Sequence, residues 1–380
     1  MSDKNSIDPS ARGPRVLFVS KAVVPPFHDG SINLVRFLSQ ALLNARPSVL
    51  STKNAPAVAP FVQTFPVYRK HSRFSPALLD NVRVLLHLLH ESDHDIWHFV
   101  FAPNPKSSTA GKIVKTIRKR PVVQTVASRP HSFSSAKSLL FGDRVIALSK
   151  HTADRLIQNG ANVPITVIAP PVADCSRNKD QQNQARQQAN IDPHADLILY
   201  AGDLEFSSGA QAMANAVPLV LREAPNAVVA FACRAKTTRA AQRKEALEAQ
   251  LKSFGSRVRF VGEVADLPAL IASACALPFP VDDLYGKVDH PYVVLESALL
   301  QVPVLVPKGG PLEEIQGIPT LRGGDIHTLA GWCVEMVKDE RARQQVGAAL
   351  RNTVLTQHNP ATVAAAVASV YEDLLSIRRL

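Results

Sequence analysis

The chain has 380 residues, of which 46% are hydrophobic and 20% are charged. This balance is typical of a water-soluble globular protein, and the length suits two domains better than one. The longest apolar run, 267–281, is too short to span a bilayer and is interrupted by prolines. The first residues, MSDKNSIDPSARG, lack the apolar run of a secretory signal, so we expect a cytoplasmic protein.

The charge is unevenly distributed along the chain. Residues 1–170 contain 22 Lys or Arg and 9 Asp or Glu, a balance of +13, and the remaining residues have a balance of −2. An anionic partner of the N-terminal half, either a phospholipid surface or a phosphorylated substrate, is one explanation, and simple solvation of a basic surface is the other. We do not expect nucleic acid as a partner, because no helix-turn-helix, zinc-finger or aromatic RNA-binding motif accompanies the charge.

The predicted elements alternate between strands and helices. The first strand is RVLFVS (15–20), a continuous apolar run typical of a buried parallel strand, and a loop with Gly30 and a helical pattern over 32–43 follow it. The segment from 196 repeats this order with the strand DLILYAG, the loop DLEFSSG and the helical segment AQAMANAVPLVLREA. Further strands are predicted at DIWHFVF, PVVQTVA, RVIALS, ITVIA, AVVAFAC, RVRFVG, ACALPFP and PVLVP. The alternation predicts two Rossmann-like α/β domains with parallel sheets.

The predicted domain limits follow from changes in composition. A polar, Gln- and Asn-rich segment without apolar periodicity, 173–195, is expected to link the two domains. We therefore predict a disordered N-terminus (1–13), an N-terminal acceptor domain (14–172), a C-terminal nucleotide-sugar domain (196–360) and a C-terminal helix (361–380) that packs back on the N-terminal domain. Ligands bind at the carboxyl ends of parallel strands, so we expect them in a cleft between the two sheets.

The order of these motifs resembles the family-4 retaining glycosyltransferases of the GT-B fold. The resemblance covers roughly residues 14–375 and is strongest in PYVVLESALLQVPVLV and GGPLEE. It implies transfer of a sugar from a nucleotide-sugar, in which the C-terminal domain holds the nucleotide and the N-terminal domain holds the acceptor. Such an enzyme uses the nucleotide-sugar as a co-substrate and needs no other cofactor.

The resemblance also implies donor-binding residues. Glu296 matches the family's glutamate at a helix start, which accepts hydrogen bonds from the ribose hydroxyls. The alternative is that Glu296 only complements the helix dipole. Gly30, Gly309 and Gly310 are expected to let the backbone approach the donor, and Gly202 is a further candidate donor-binding residue. Glu313 is expected to cap the following segment or to contact the ligand.

Four positions depart from the family pattern. The usual Gly-Arg and Lys-Gly pairs are replaced by Gly202-Asp203 and Ser208-Gly209, so the two cations that neutralise the diphosphate are missing. Val288 replaces an acidic residue, and Ala127 replaces a histidine. We expect Arg234, Lys236 and Lys287 to supply the missing positive charge, with Asp289 beside the lost acidic position; the alternative is that these residues are only solvated.

His98, in the strand DIWHFVF, is expected to face the cleft and is the candidate catalytic contact with the acceptor; the alternative is a packed core histidine. His131 is a weaker candidate for the same role. The four cysteines, Cys175, Cys233, Cys275 and Cys333, lie far apart and form no CxxC pair, so we expect neither disulfides nor a metal site.

Two segments predict a membrane-facing surface on the N-terminal domain. In AGKIVKTIRKRP, helical spacing places Lys112, Lys115 and Lys119 on one face, beside Arg118, and we expect Ile113, Val114 and Ile117 to pack inward. In YRKHSRFSPALLDNVRVLLHLLH, Arg69, Lys70 and Arg73 flank Phe74 and precede a leucine-rich helix, a composition suited to a bilayer interface. A peripheral position on the inner face of a membrane is therefore expected, and a core helix with a solvated basic face is the alternative.

The sequence thus predicts a retaining glycosyltransferase in glycan, glycolipid or glycosylated-metabolite synthesis. The competing hypothesis is a catalytically silent GT-B module that binds a nucleotide-sugar or a partner enzyme, and the four departures favour it. A GT-B sugar-nucleotide epimerase is a third hypothesis that resembles this signature less. Slow hydrolysis of the donor without acceptor would separate an enzyme from a silent module.

Overall fold

The computed structural model describes residues 13–69 and 76–377. Lys70, Arg73 and Phe74, and all but the last residue of the predicted disordered segment 1–13, lie outside these ranges. The chain divides into two compact units. The N-terminal unit comprises Met1–Pro171, Tyr285–Asp289 and His358–Leu380, and the C-terminal unit comprises Val172–Leu284 and His290–Gln357.

The N-terminal unit is built on a seven-stranded sheet in the described part of the chain, with the order β3-β2-β1-β4-β5-β6-β7 and all strands parallel. Its elements are, in chain order, β1 (Arg15–Val19), α1 (Gly30–Ala41), β2 (Arg46–Thr52), β3 (Gln63–Tyr68), α2 (Leu78–His90), β4 (Ile96–Phe101), α3 (Pro105–Arg118), β5 (Val122–Val126), α4 (Ala136–Leu139), β6 (Arg144–Ala147), α5 (Lys150–Gln158) and β7 (Ile165–Val167). The strands β1 and β4 are the centre of the sheet and are almost completely buried, which explains their continuous apolar sequences.

Local sequence explains where the helices of this unit begin. The carboxylate of Asp29 accepts a hydrogen bond from the backbone N–H of Ser31 and caps α1, and Asn104 and Ser149 cap α3 and α5 in the same manner. On α3, Val114 is buried as expected, but Ile113 and Ile117, which we predicted to pack inward, are 52% and 60% exposed. The buried positions of α3 are Ser108, Gly111 and Val114, which recur every three residues, and the two isoleucines lie outside this stripe.

The C-terminal unit contains two groups of three parallel strands with the orders β10-β9-β8 and β11-β12-β13. A parallel bridge between Ile198 and Ala276 joins β8 to the second group. The elements are, in chain order, α6 (Lys179–Gln188), β8 (Asp196–Tyr200), α7 (Gly209–Glu223), β9 (Ala227–Phe231), α8 (Thr238–Leu251), β10 (Val258–Phe260), α9 (Leu267–Ala272), β11 (Leu277–Pro278), α10 (Tyr292–Leu299), β12 (Val304–Pro307), β13 (Thr320–Leu321), α11 (Ile326–Lys338) and α12 (Glu340–Gln357).

Both units therefore have the strand order of a Rossmann-like sheet. The first three strands are added in one direction from β1 or β8, and the later strands are added on the other side of that first strand. The predicted α/β class with parallel sheets is confirmed. In each unit the carboxyl ends of the strands meet at one edge of the sheet, and the loops at this edge are where a ligand site is expected.

The segment expected to be an interdomain linker is a structured part of the C-terminal unit. Residues 179–188 form α6, whose first turn is closed by a reciprocal pair of hydrogen bonds between Asn178 and Gln181. The helix packs against α9, and Arg186 donates to the backbone carbonyls of Asp192, Ala195 and Ser273. The polar composition reflects the exposed faces of a short helix that buries little besides Ala185 and Arg186.

The last helix, α13 (Pro360–Ile377), belongs to the N-terminal unit and packs against α1. Its apolar residues Val363, Val367, Val370 and Leu374 recur at helical spacing and are buried. Just before it, His358 is buried and its Nδ1 lies 2.7 Å from the carbonyl oxygen of Pro170. The C-terminal segment is thus an integral part of the N-terminal core.

Candidate functional site

The carboxyl edge of the C-terminal sheet brings together several of the predicted donor-binding residues. Gly202 follows β8, Arg234 and Lys236 follow β9, and Gly309 and Gly310 follow β12. Since these strands are parallel members of one sheet, the loops that follow them lie at the same edge. The resemblance to the family implied the three glycines, and the strand-end positions of Arg234 and Lys236 were read from the sequence.

The loop after β8 is held by its own carboxylate. One oxygen of Asp203, Oδ1, accepts hydrogen bonds from the backbone N–H groups of Glu205, Phe206 and Ser207 at 2.9, 2.6 and 3.2 Å. The other oxygen accepts from the Ser207 hydroxyl at 2.9 Å. Asp203, which stands where the family pattern has arginine, therefore stabilises the conformation of its own loop.

The position of the family's lysine is also occupied by a local interaction. The backbone N–H of Ser208 donates to Asp282 Oδ1 at 2.9 Å, and its hydroxyl donates to Asp282 Oδ2 at 2.6 Å. The hydroxyl of Ser208 makes no cap for α7, the helix that begins at Gly209. Asp282 was not predicted as a site residue, and an aspartate shortly after a predicted strand is the signal that could have suggested it.

Gly202 and Gly209 have a packing reason to be glycine. A Cβ at Gly202 would lie 2.2 Å from the hydroxyl oxygen of Tyr200, and one at Gly209 would lie 2.8 Å from the carbonyl oxygen of Pro280. Tyr200 is fully buried, and its hydroxyl donates to the carbonyl of Asp203 at 3.1 Å. The close approach at Gly202 is therefore to the protein's own tyrosine, which weakens the argument that this glycine serves the donor.

The loop after β9 carries the two cations. Lys236 is exposed, and Arg234 is partly exposed and lies 3.9 Å from a carboxylate oxygen of Glu263. Thr237 ends the loop by capping α8, and its hydroxyl also donates to Glu205 of the neighbouring loop at 2.6 Å. This hydrogen bond connects the loops after β8 and β9 and stabilises the backbone that carries Arg234 and Lys236.

Glu296 lies one turn further into its helix than we expected. The helix α10 begins at Tyr292 after Pro291, so Glu296 is in the second turn, on the same face as Tyr292. Side chains of a helix point towards its N-terminus, and Glu296 is partly exposed, so its carboxylate lies along the first turn. Its charge adds to burial in raising the pKa of the Cys175 thiol to about 12.

The start of α10 has no side-chain cap, because Pro291 occupies the capping position. Nine other helices in the described ranges are capped by a side chain: α1, α3, α5, α6, α8, α9, α11, α12 and α13. Helix starts carry partial positive charge and bind anions through backbone N–H groups. Both α7 and α10 begin at the carboxyl edge of this sheet without a side-chain cap. For α10 the sequence indicates this, because a proline at position 291 has no side-chain acceptor.

The glycines after β12 lie in an open turn. Gly309 has φ +88, which favours glycine, and a Cβ at Gly309 or Gly310 would meet no atom within 4 Å. The carboxylate of Glu313 accepts a hydrogen bond from the Gly309 N–H at 2.7 Å. Of the two roles predicted for Glu313, this contact supports the structural one.

Four predicted site residues lie in the N-terminal unit. Gly30 is the first residue of α1, directly after the capping Asp29. Lys287 and Asp289 lie in the segment Tyr285–Asp289, whose ends contact this unit: Arg129 stacks on the Tyr285 ring at 5.1 Å, and Ser149 donates to Asp289 at 2.6 Å. Asp289 is buried, so its carboxylate anchors this segment.

The fourth residue, His98, does not lie where we expected it. It is in the middle of β4, and its side chain has no exposed surface. Its Nδ1 lies 2.6 Å from the hydroxyl of Tyr371 on α13, and its Nε2 lies 2.7 Å from the hydroxyl of Thr125. Burial lowers the pKa of His98 to about 3, so the ring is neutral and fastens α13 to the sheet. A contact with the acceptor does not fit this position, and we correct the assignment to a structural one.

One family model matches part of the chain. Residues 195–339 match the family model described as "Glycosyl transferases group 1". This range contains the cations after β9, the helix α10 with Glu296 and the glycines after β12. No curated protein sequence matches the chain significantly.

Solved structures, a glycosyltransferase among them, share the fold over most of the chain. Sucrose-phosphate synthase from Thermosynechococcus elongatus has a TM-score of 0.73 at 17% identity, covering 96% of this chain and 100% of that one. HepE from Anabaena, in complex with UDP-glucose, has a TM-score of 0.71 at 17% identity, covering 95% and 100%. WaaG, a glycosyltransferase involved in lipopolysaccharide biosynthesis, has a TM-score of 0.65 at 13% identity, covering 94% and 99%.

The fold of the chain is that of the GT-B glycosyltransferases, and residues 195–339 match the group 1 glycosyltransferase family model. In the part of the chain that the structure describes, no helix is long and apolar enough to cross a membrane, and no group of three or more His, Cys, Asp and Glu side chains could hold a metal ion.

Proposed function

We propose that the protein transfers a sugar from a nucleoside-diphosphate sugar to an acceptor with retention of configuration, in the synthesis of a glycan, a glycolipid or a glycosylated metabolite. The observation that supports this most directly is the family match over 195–339, because this range contains Glu296, Arg234 and Lys236 at one edge of the sheet. No metal or other cofactor takes part in the proposed reaction.

The donor is held through its ribose by Glu296. An ionised carboxylate accepts two hydrogen bonds from the two neighbouring hydroxyls of a ribose, and each such charge-assisted bond is stronger than a neutral one. Glu296 is partly exposed and lies along the uncapped first turn of α10, where a nucleotide's diphosphate is also favoured. HepE was solved with UDP-glucose and with UDP, so a uridine nucleotide is the first donor to test.

The leaving diphosphate is stabilised by positive charge at the strand ends. In the proposed step the bond between the sugar C1 and the phosphate oxygen breaks, and C1 bonds to the acceptor oxygen on the same face. The departing phosphate takes the acceptor's proton. Negative charge develops on this phosphate as its bond to C1 breaks, and the protein must stabilise that charge. Arg234, Lys236 and the start of α10 supply that charge in the C-terminal unit, and Lys287 remains a further candidate.

The acceptor is expected to be anionic or lipid-linked. The basic residues are concentrated in the N-terminal half, whose balance is +13 over residues 1–170, and a strongly basic surface attracts anionic molecules and membrane surfaces. A cytoplasmic protein that attaches reversibly to the inner face of a membrane fits this charge distribution.

A specific observation favours the second candidate, a silent module that binds a nucleotide-sugar without turnover. The two positions at which the family carries cations are occupied by Asp203 and Ser208, and both side chains are engaged in local hydrogen bonds. Without positive charge on the leaving group the donor would bind through its nucleoside and remain intact. The two candidates therefore differ in donor hydrolysis.

The test combines binding and hydrolysis. UDP is expected to raise the thermal midpoint of the full chain, and Glu296→Ala is expected to weaken UDP binding by about 1.5–3 kcal/mol through loss of charge-assisted bonds to ribose. Glu335→Ala, which removes an exposed carboxylate from α11 of the same unit, is the matched control and is expected to bind normally. Unchanged affinity in Glu296→Ala would remove the ribose assignment, and donor binding without any hydrolysis would favour the silent module.

A further inference from the structure

The middle of the N-terminal unit carries positive charge without any acidic residue of its own. Residues 96–142 contain eight Lys or Arg and no Asp or Glu, and the carboxylates of Asp95 and Asp143 lie just outside this range. The eight cationic residues are Lys106, Lys112, Lys115, Arg118, Lys119, Arg120, Arg129 and Lys137. Their charges are therefore left to be neutralised by other parts of the chain or by a ligand.

Three of these lysines line one cavity beside α3. The cavity is open and has a volume of about 620 Å³, and its lining in the described ranges consists of Lys112, Lys115, Thr116, Lys119 and Phe141. A volume of this size is within the range of sites that hold small molecules. We call this site the α3 lysine cavity. It concentrates positive charge in a concave site that is large enough for a ligand.

The spacing of the three lysines is unfavourable for the helix by itself. Lys112 and Lys115 are three residues apart, and Lys115 and Lys119 are four residues apart, so the three lie along one face of α3. Like charges at these spacings repel each other. The helix dipole offsets part of this cost, because cations are favoured near the C-terminus of a helix. An anion in contact with the lysines would remove the rest of the repulsion.

Contacts within the protein hold two of the ammonium groups beside the cavity. Lys112 donates to the carbonyl of Ser138 at 2.5 Å, and Lys115 donates to the carbonyl of Phe141 at 2.7 Å. Lys115 also pairs with Asp143 at 2.7 Å. An ammonium group has three N–H donors, so both lysines keep at least one for a ligand. Asp143 adds one negative charge beside three positive ones, and an anionic ligand is therefore favoured.

The α3 lysine cavity lies at the amino edge of the N-terminal sheet. Lys119 is the last residue of the α3 cap, and β5 begins three residues later at Val122. Phe141 shortly precedes β6, and the backbone N–H of Val122 donates to Asp143 at 2.8 Å. The amino ends of β5 and β6 therefore border the cavity, whereas substrates bind at the carboxyl ends of parallel strands. A ligand in this cavity is neither the sugar donor nor the acceptor.

We propose that the α3 lysine cavity binds a soluble ligand that carries two or more phosphate groups. Lysine binds phosphate as a point charge, and Lys112 and Lys119 are separated by about 10 Å along the helix, so a chain of phosphates contacts more of the lysines than a single phosphate does. Lysines that serve a bilayer extend away from the protein. Lys112 and Lys115 instead bend back onto backbone carbonyls, which favours a soluble ligand over a lipid headgroup. The inference goes beyond the proposed function, which requires no second phosphate site.

Binding of inorganic tripolyphosphate to the full chain tests the proposal. It is measured by isothermal calorimetry at low salt in the Arg234→Ala/Lys236→Ala background, in which the cations of the proposed donor site do not contribute. We expect one tripolyphosphate per chain. Adding Lys112→Ala and Lys119→Ala is expected to weaken binding about tenfold, because two charge-assisted contacts are lost. Lys112→Arg/Lys119→Arg keeps both charges and is expected to stay within about threefold of the parent.

Matched controls are available in the same unit. Lys53→Ala/Lys106→Ala removes two exposed lysines outside the cavity, one of them in the first turn of α3, and is expected to bind tripolyphosphate within about twofold of the parent. Asp143→Asn removes the negative charge beside Lys115 and keeps an oxygen for the Val122 N–H. It is expected to strengthen binding about twofold. Thermal midpoints without ligand show whether each variant is folded.

Several results would overturn the proposal. Tripolyphosphate does not bind, or the control pair lowers its affinity as much as the Lys112/Lys119 pair, or inorganic monophosphate binds as tightly. Vesicles of phosphatidylglycerol and phosphatidylcholine test the other source of phosphate. If the Lys112/Lys119 pair weakens attachment to these vesicles and tripolyphosphate does not bind, the cavity holds a lipid headgroup instead. UDP affinity is expected to be unchanged in Lys112→Ala/Lys119→Ala alone, so a failure of this cavity is distinguishable from a failure of the proposed donor site.

Discussion

The loops after β8 and β9 lie side by side at one edge of the C-terminal sheet, yet they use their charged residues differently. In the first loop, Asp203 directs one carboxylate oxygen to three backbone N–H groups of its own loop. In the second, Arg234 and Lys236 extend from the strand end, and the loop's backbone is fixed by Thr237 instead. One loop is closed on itself, and the other presents positive charge.

This difference suggests how a phosphate site can move without a change of fold. The sheet edge stays the same, and a cation that the family carries after β8 can be supplied one strand away, after β9. The hydrogen bond between Thr237 and Glu205 links the two loops, so a ligand held by one is close to the other. The closed loop then serves as a support for the charged one.

The largest expected effect tests the charged loop directly. In the double variant Arg234→Ala/Lys236→Ala, UDP affinity is expected to fall by about 3 kcal/mol, because two charge-assisted contacts with the diphosphate are lost. Uridine, which has no phosphate, is expected to lose less than about threefold. Isothermal calorimetry with both ligands measures the two effects.

Two further variants complete this test. Arg243→Ala/Lys252→Ala removes two exposed cations from the same unit and is expected to leave UDP affinity unchanged. Lys287→Ala shows whether that residue also contacts the diphosphate. Equal losses for UDP and uridine, or none, would show that the cations after β9 are ordinary surface charges, and the contrast between the two loops would have no functional meaning.

A second, smaller effect is expected in the closed loop, on stability. Asp203→Ala leaves three backbone N–H groups without their acceptor and is expected to lower the free energy of unfolding by about 2 kcal/mol. Asp203→Asn keeps an acceptor oxygen at the same position and is expected to retain most of that stability. Urea denaturation measures both. A large gain in UDP affinity in Asp203→Ala without loss of stability would mean that the carboxylate repels the donor and does not support the loop.

Much of the fold was predictable because its signals are local. The strands β1, β4 and β8 are continuous apolar runs that must be buried on both faces, and the caps at Asp29 and Thr237 mark helix starts. β2 was not predicted, because Arg46, Pro47 and two serines interrupt the apolar run by which the other strands were recognised. The helix α6 was missed for the opposite reason, since a short helix that buries two residues shows almost no apolar periodicity.

The site was less predictable, because it depends on contacts between distant residues. The sequence made Glu296, Arg234 and Lys236 candidates for donor binding, a prediction that the variants above test, and it showed where the cations of the family pattern are missing. It could not show that Asp282 holds Ser208 from 74 residues away, or that Tyr371 reaches His98 across 273 residues. A histidine in a strand has the same local sequence whether it lines a cleft or fastens a helix, and only burial separates the two.

The position of the family's lysine offers a third test, with an intermediate effect. In Ser208→Lys alone, the new ammonium group is expected to pair with Asp282, so UDP affinity should change by less than about twofold. When Asp282→Asn is added, the ammonium group is released to the donor, and affinity is expected to rise by about 1 kcal/mol, or fivefold. Asp282→Asn alone is the control. A single Ser208→Lys variant that already gains the full amount would show that Asp282 does not govern this position.

The smallest expected effect concerns the acid beside Arg234. A carboxylate oxygen of Glu263 lies 3.9 Å from the guanidinium, and the two side chains are 48% and 29% exposed. Partly exposed pairs of this kind contribute about 0.5 kcal/mol, so Glu263→Gln is expected to strengthen UDP binding about twofold by removing a competitor for Arg234. The gain should shrink as salt is added, because salt screens exposed charges.

A double-mutant cycle separates this pairing from a general change in charge. If Glu263 acts by competing for Arg234, then Glu263→Gln gives no gain in a protein that already carries Arg234→Ala. If the same gain persists in that background, Glu263 acts through the charge of the whole edge, and Arg234 has no special contact with the diphosphate. The cycle therefore tests whether Arg234 contacts the diphosphate directly or only adds to the positive charge of this edge of the sheet.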